Sequence, residues 1–407
     1  MRPVAIPVKH DRMSAPVPTV IDPVDLCRDL IRRPSVTPAD EGAMDTLQRV
    51  LEGLGFACRR MAFEGPGGEG KEARIENLYA RRGTASPNLC FAGHTDVVPT
   101  GEAGAWSSDP FEAEVKDGVL YGRGAVDMKG GIAAWVAAVS EVLAAGEVEG
   151  SLSFLITGDE EGPALHGTKR VVETLMAEGE GIDACIVGEP SSQQQLGDMI
   201  KIGRRGSLNT WITVHGKQGH VAYPDRAANP APVLVRLLSR LDAHVLDAGY
   251  EAFQPSNLEI TTVDIANPAT NVIPSEARAR LNIRFNPAQT GDGLIDWLNR
   301  EAGRVQAETG LQITLEHMCS GEAFLTPHGA FVTAVQDAVE QTTGLRPDAS
   351  TTGGTSDARF IRAMCPVLEL GLVGQTMHQI DERVPIAELQ ALAATYRRVI
   401  ETVFART

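Results

Sequence analysis

The sequence predicts an α/β protein built on a doubly wound, mostly parallel sheet, with a ferredoxin-like (βαββαβ) unit inserted into it. Two observations lead there. Short apolar runs alternate with helix-period segments up to about residue 205 and again beyond about residue 320, the rhythm of parallel strands joined by crossover helices. Between them the order changes to strand 207–215, helix 230–246, strand 258–265, strand 277–285, helix 293–305 and strand 311–318. At 407 residues, two folding units are expected. The main unit takes residues 21–205 and 320–407, the insertion 206–319, and residues 1–20 form a disordered extension outside the fold.

In chain order, Asp22 caps a helix with Pro23 in its first turn and Val24, Cys27, Leu30 and Ile31 on one face. A second helix from about Asp40 turns Met44, Leu47, Leu51 and Leu54 inward and stops at Gly55. Residues 64–71 read as a glycine-rich loop. The apolar run from Leu89 to His94 is a buried strand. Side chains alternate along a strand, so His94 and Asp96 should face the same way, the Asp96 carboxylate taking a ring N–H of His94. Asp127 closes a short extended segment, and Met128 opens a helix carrying Ile132, Trp135, Val136, Val139 and Leu143 to Gly146. Strand 151–157 runs into Glu160 and Glu161, and strand 184–187 into Glu189. After the insertion come a helix at 329–341, a turn at 351–357, a strand at 367–370, His378 in a loop and a last helix from Ile386. Four strands thus end in His94/Asp96, Asp127, Glu160/Glu161 and Glu189, and open α/β sheets gather ligands outside the carboxyl ends of their strands.

Composition narrows the function. Lys and Arg number 37 against 53 Asp and Glu, a formal charge of −16, which argues against nucleic acid or an anionic membrane as partner. No apolar run approaches the ~18 residues of a membrane span, and the first 20 residues lack the apolar core of a secretory signal. The six cysteines, Cys27, Cys58, Cys90, Cys185, Cys319 and Cys365, are far apart with no CxxC pair. Free thiols in a reducing, cytoplasmic compartment are expected.

The candidate site is the set His94, Asp127, Glu160, Glu161, Glu189 and His378, with Asp96 behind it. Two imidazoles among carboxylates suit zinc, cobalt or a similar divalent ion, where an oxygen-only set would favour calcium or magnesium. With two ions about 3.5–4 Å apart, one carboxylate bridges, each ion takes a histidine and a second carboxylate, and one carboxylate is left as general base. Taken singly, each residue has a plainer reading: Glu160-Glu161 as a solvated turn, Asp127 as a helix cap, Glu189 as a loop end, His378 as a surface histidine. Their joint occurrence is what points to metal. His166, His215, His244, His317 and His328 read as structural or solvated. Gly122-Arg-Gly124 begins like a dinucleotide fingerprint, but Asp127 stands where its third glycine belongs, so no nucleotide cofactor is expected.

The motifs Gly93-His-Thr-Asp-Val-Val-Pro99, Gly122-Arg-Gly-Ala-Val-Asp-Met-Lys-Gly130, Gly158-Asp-Glu-Glu-Gly162 and Gly188-Glu-Pro-Ser191 resemble the M20 family of dizinc amidohydrolases and peptidases. Gly203-Arg-Arg-Gly-Ser207, Gly219-His-Val-Ala-Tyr-Pro224, Asn271-Val-Ile-Pro274 and Gly353-Gly-Thr-Ser-Asp357 extend the likeness over nearly the whole chain. The resemblance implies two zinc ions bridged by Asp127, with His94 and Glu189 completing one site and Glu161 and His378 the other. It implies Glu160 as general base, Asp96 as the partner of His94, and a cis peptide after Asp127. It further implies a homodimer through the inserted unit, in which His220 reaches the partner's site and stabilises the oxyanion. A small acylated amino acid is the implied substrate, its carboxylates and amide held by Arg204, Tyr223, Asn271, Arg284 and Thr355. Arg205 is the less favoured neighbour of Arg204, and Asn271 and Thr355 are residue types that turns also use. One departure stands out: Gly374 occupies a position where the family pattern has an asparagine, which removes one expected substrate contact. The alternatives are a different acyl-amino-acid hydrolase on the same metal site, or a binding protein that kept the fold and lost catalysis; an intact Glu160 speaks against the latter.

Overall fold

The computed structural model describes residues 19–66 and 72–405. The extension expected at 1–20 lies outside them except for its last two residues, as does most of the 64–71 loop. The main sheet has eight strands, in the spatial order Ala57–Pro66, Glu72–Arg82, Ser151–Thr157, Asn88–His94, Ala184–Val187, Val367–Glu369, Met199–Lys201 and Asp348–Ser350. The four central strands, from Ser151–Thr157 to Val367–Glu369, run parallel. They are buried throughout and mostly apolar because helices cover both faces, as parallel sheets require.

The outer strands add antiparallel pairing, with only Asp348–Ser350 parallel to its neighbour Met199–Lys201, and differ from expectation. Ala57–Pro66 and Glu72–Arg82 form a hairpin where only its connecting loop was expected. Its outer face is wet and charged, with Arg60 paired to Glu76 at 3.1 Å and Arg74 to Glu64 at 2.6 Å, so it lacks the apolar run that marks the central strands. At the other edge, Met199–Lys201 and Asp348–Ser350 are three residues long and leave no readable period. Asp127 does not end a strand of this sheet. The extended segment before it, Val119–Tyr121, pairs with Arg383–Pro385 and Val115–Lys116 in a separate three-stranded sheet, and residues 122–128 form a turn. Three strand ends and one anchored turn therefore supply the acids.

On one face of the main sheet the helix Lys129–Ala145 is buried nearly all round, between the strands and the helices Pro23–Ile31 and Ile386–Ala405. Such a helix needs apolar residues on every side, which its Gly/Ala/Val-rich sequence supplies. Trp135 stacks on Phe91 at 4.9 Å between ring centres and meets Tyr396 edge-on at 5.0 Å. Tyr396 resolves its one polar atom by donating to the Leu370 carbonyl at 2.5 Å. The other face is closed by Thr168–Glu178 and Ala358–Ile361 over Cys90, Leu155, Cys185 and Val367.

Residues 206–321 carry a second, all-antiparallel sheet in the order Asn257–Asp264, Glu276–Phe285, Gly206–His215 and Ile313–Gly321. Helices Pro230–Asp242 and Gly291–Thr309 cover one face and enclose a core separate from that of the main sheet. The chain segments that enter and leave this unit pair with each other in a short ladder, Gly203–Arg204 against Phe324–Leu325, and the Thr351 hydroxyl donates to the Ala252 carbonyl across the junction at 2.5 Å. Truncating the aromatic centre tests the main core: Trp135→Ala is expected to lower stability by about 3–5 kcal/mol in denaturant unfolding.

Candidate metal centre

His94 is the last residue of its strand and is 1% exposed. Its Nδ1 donates to the main-chain carbonyl of Asp96 at 2.8 Å, which aims Nε2 at Asp127 Oδ1 (3.3 Å) and Glu189 Oε1 (3.7 Å). A carbonyl, not the expected carboxylate, thus orients the ring. Alternation lapses once the strand ends at His94, and the Asp96 carboxylate stands 3.7 Å from Nδ1. That carboxylate instead accepts the N–H of Glu160 at 3.2 Å and of Glu161 at 3.0 Å, so Asp96 fixes the backbone of the glutamate pair. Asp159, which the sequence reading passed over, does the same for the following turn, taking the N–H groups of Leu165 and His166 at 2.9 Å each.

The peptide Asp127–Met128 is cis, as the resemblance implied. The two oxygens of Asp127 diverge: Oδ1 faces His94, and Oδ2 lies 3.2 Å from His378 Nε2. His378 Nε2 also meets Glu161 Oε1 at 2.8 Å. Two donor groups result, His94–Asp127–Glu189 and Asp127–Glu161–His378, each with its ligand atoms within 4.8 Å of one another. They share Asp127, the geometry of a bridging carboxylate.

Electrostatics favours a cation here. Burial, then the charges of Asp127 and Glu160, hold the Glu189 carboxyl well above the ordinary carboxylate range. Burial and the charge of Asp357 do the same to Glu160. Burial pushes Asp96 up to about 7 despite its main-chain bonds. For Asp127 burial acts the same way, but hydrogen bonds from His378 and His94 overcome it and pull the carboxyl down. Without a cation Glu189, Glu160 and Asp96 tend to hold protons; a divalent ion can replace such protons, and two imidazoles among carboxylates match zinc-type donor chemistry.

A cavity of about 540 Å³ opens beside the two groups, lined by Glu160, Glu161, Glu189 and, at its far side, Lys201, Arg204 and Thr355. The side-on fork of Arg204 is already engaged: Nε donates to Glu369 at 2.9 Å, Nη2 bonds the same carboxylate, and Nη1 reaches the Thr352 carbonyl at 2.9 Å. Only the remaining N–H groups are left for a ligand. Lys201, not singled out from sequence, adds an ammonium that burial and Arg204 lower to about 8 and that donates to Thr352 Oγ1 at 3.0 Å. Its place two residues before Gly203 was the available signal. At Gly374 an added Cβ would stand 3.2 Å from the Pro190 carbonyl oxygen, so the missing side chain matches a tight wall.

His220, Tyr223 and Asn271 gather elsewhere, exposed at the tip of the ribbon formed by Gly219–His220 and Val272–Ile273. The Val221 N–H bonds the Asn271 carbonyl at 3.1 Å. Arg284 is half-buried, with Nε on Asn282 Oδ1 at 3.1 Å. None of these four lines the cavity. A larger space of about 1450 Å³ lies at the junction of the two units near Tyr250, His328 and Arg362, but the acids that line it, Glu251, Asp292 and Glu322, belong to neither metal-holding group found among the described residues, and it is not the candidate centre.

Hydrogen bonds to Asp127 and Glu161 raise His378 to about 10 against the imidazole's ordinary 6.5. The sign follows: in metal-free protein this proton stabilises the fold below about pH 6.5, and the contribution fades as pH rises toward 10. Ion uptake must displace it. Titrating Zn²⁺ at pH 8 in buffers of different ionisation enthalpy should reveal proton release, and affinity should rise with pH up to about 10.

The model of peptidase family M20/M25/M40 matches residues 90–402. A protein of Phenylobacterium zucineum, succinyl-diaminopimelate desuccinylase by name, is 63% identical over 385 residues, spanning 95% of this chain and 99% of that one. One of the same name from Caulobacter vibrioides is 65% identical over 393 residues, covering 96% and 98%. Among solved structures, an M20-family metallo-carboxypeptidase from Sulfolobus solfataricus superposes with a TM-score of 0.74 at 16% identity, over 95% of this chain and all of the other. A dinuclear metal-binding M20 peptidase from Bacillus subtilis gives 0.69 at 16% identity, over 95% and 98%.

Proposed function

The chain belongs to peptidase family M20/M25/M40, and on that premise we propose that it is a dizinc amidohydrolase that removes succinate from N-succinyl-L,L-diaminopimelate, a step toward lysine and peptidoglycan precursors. The observation that carries the metal reading is Asp127, with one oxygen toward each histidine. Support for the substrate comes from relatives of 63–65% identity that bear the desuccinylase name over almost their full length.

His94, Asp127 and Glu189 would hold one ion, and Asp127, Glu161 and His378 the other. Bound there, two divalent ions supply Lewis acidity that lowers the pKa of water and polarises the amide carbonyl. Glu160 lines the same cavity and belongs to neither donor group, which leaves its carboxylate free as the base. It takes the proton of the attacking water and returns it to the departing amine. Asp96 keeps the Glu160 main chain in register through its N–H. Lys201 and Arg204 give an acidic protein a local cationic wall for a substrate carboxylate, with the Thr355 hydroxyl beside them. His220, Tyr223, Asn271 and Arg284 do not line this cavity, which suits a homodimer in which the inserted unit of one protomer, residues 206–319, completes the site of its partner. His220 would then share the oxyanion charge. No helix among the described residues is long and apolar enough to cross a membrane, and a cytoplasmic setting fits the six free cysteines.

The test is hydrolysis of N-succinyl-L,L-diaminopimelate beside N-acetylornithine by the zinc-loaded protein. The succinyl substrate should be strongly preferred, and Glu160→Ala should reduce turnover by roughly 10²–10⁴-fold while both ions stay bound. Preference for the acetyl substrate would instead indicate an acetylornithine deacetylase or an aminoacylase. Turnover of neither, with ions bound, would indicate a binding protein.

A further inference from the structure

We propose that Glu382 is a positioning residue for the ion site formed by Asp127, Glu161 and His378, an inference that rests on the metal reading above. His378 has little to place it. It sits in a loop with φ +61°, its side chain is 48% exposed, and among the described residues its ring pairs with Asp127 and Glu161, its would-be fellow ligands. Something outside the ligand set must bring that loop to Asp127.

Four residues on, Glu382 is fully buried and does this through one carboxylate. Oε1 accepts the N–H of Val126 at 2.9 Å and of Asp127 itself at 3.1 Å. Oε2 accepts the N–H of Gly124 at 3.0 Å and Nη1 of Arg123 at 2.8 Å. The Glu382 carbonyl takes the Gly122 N–H at 2.9 Å, and Arg123 Nη1 also donates to the Gln379 carbonyl at 3.2 Å. Further ties hold the ends of the loop: the Ser107 N–H donates to Asp381 at 2.8 Å, the Gly374 N–H to the Ser192 carbonyl at 3.1 Å, the Thr376 hydroxyl to the Arg383 carbonyl at 3.0 Å, and Arg383–Pro385 pairs with Val119–Tyr121. The turn that presents Asp127 is therefore wrapped around a side chain carried by the His378 loop. Two ligands separated by some 250 residues of sequence share one anchor that touches neither the ion positions nor the cavity.

The bonding pattern makes the role testable. Each oxygen of Glu382 receives two donors, so a glutamine there must turn its own N–H₂ toward a pair of donors whichever way it faces. The turn or the loop must then shift. In protein stripped of metal and titrated with Zn²⁺ against a competing chelator, Glu382→Gln should weaken one of two ions by about 10–100-fold, the range seen when a residue that orients a ligand is lost. The other ion shares Asp127 but keeps His94 and Glu189, so it should be weakened several-fold less. In a His378→Ala background, where that site is already broken, the same substitution should cost the remaining ion little. Equal weakening of both ions, or the same cost in both backgrounds, would mean a general structural role and overturn the inference, as would wild-type affinity for both. Glu382→Asp keeps the charge but cannot reach all four donors; if the glutamine variant fails to fold, it should still weaken the same ion about tenfold, and unchanged affinity would be decisive against the idea. A wild-type protein that binds fewer than two ions would overturn the metal reading itself, and this inference with it.

Discussion

Repulsion among buried carboxylates is the constraint around which this molecule is built. Asp127, Glu160, Glu161 and Glu189 line one cavity, with Asp96 and Glu382 just behind. Each charge removed from water costs several kcal/mol unless it is paired or hydrogen-bonded. The acids that face the cavity meet imidazoles and, by our reading, metal. Those behind them are met by main-chain N–H groups: Asp96 by Glu160 and Glu161, Oδ2 of Asp159 by Leu165 and His166, Glu382 by Gly124, Val126 and Asp127. Hydrogen bonds to a charged group contribute about 1.5–3 kcal/mol each, so every such acid also rigidifies the turn whose amides it gathers. A second layer of carboxylates thereby holds the first in place.

The packing below gives those turns a fixed base. His94, Glu160–Glu161 and Glu189 all follow parallel central strands that are buried on both faces, and their spacing is set by the hydrogen-bond ladder between neighbours. Phe91, Trp135 and Tyr396 lock the nearest helices to that ladder. Asp127 and His378 come from turns outside the main sheet, joined at their bases by the ladder of Val119–Tyr121 with Arg383–Pro385. Hydrogen bonds to Glu382 and Arg123 join them there.

The inserted unit has its own core, which suits a unit that acts on a neighbouring cavity, as expected if His220 and Asn271 serve a second protomer. Arg204, paired with Glu369, lies in the ladder between the segments that enter and leave this unit and also lines the cavity, so the cationic wall and the junction share one residue.

The strands that carry His94, Glu160–Glu161 and Glu189 and the βαββαβ order of the insertion were legible in the sequence, because apolar runs ending in acids or histidines leave a strong local pattern; Asp127 and His378, which lie in turns, were picked out by their motifs, and the structure brings them together with the others in two donor groups. The sequence left unread the edge hairpin, whose charged face hides its period, and the three-residue strands, which are too short to have one. Only the tertiary structure decided that a carbonyl rather than the Asp96 carboxylate orients His94, that Arg204 is already bound to Glu369, and that Glu382 joins the turn of Asp127 to the loop of His378. These are hydrogen bonds between residues far apart in the chain, or between a side chain and the main chain of a turn. Their partners are selected by where the backbone goes, and residue type alone carries no record of that.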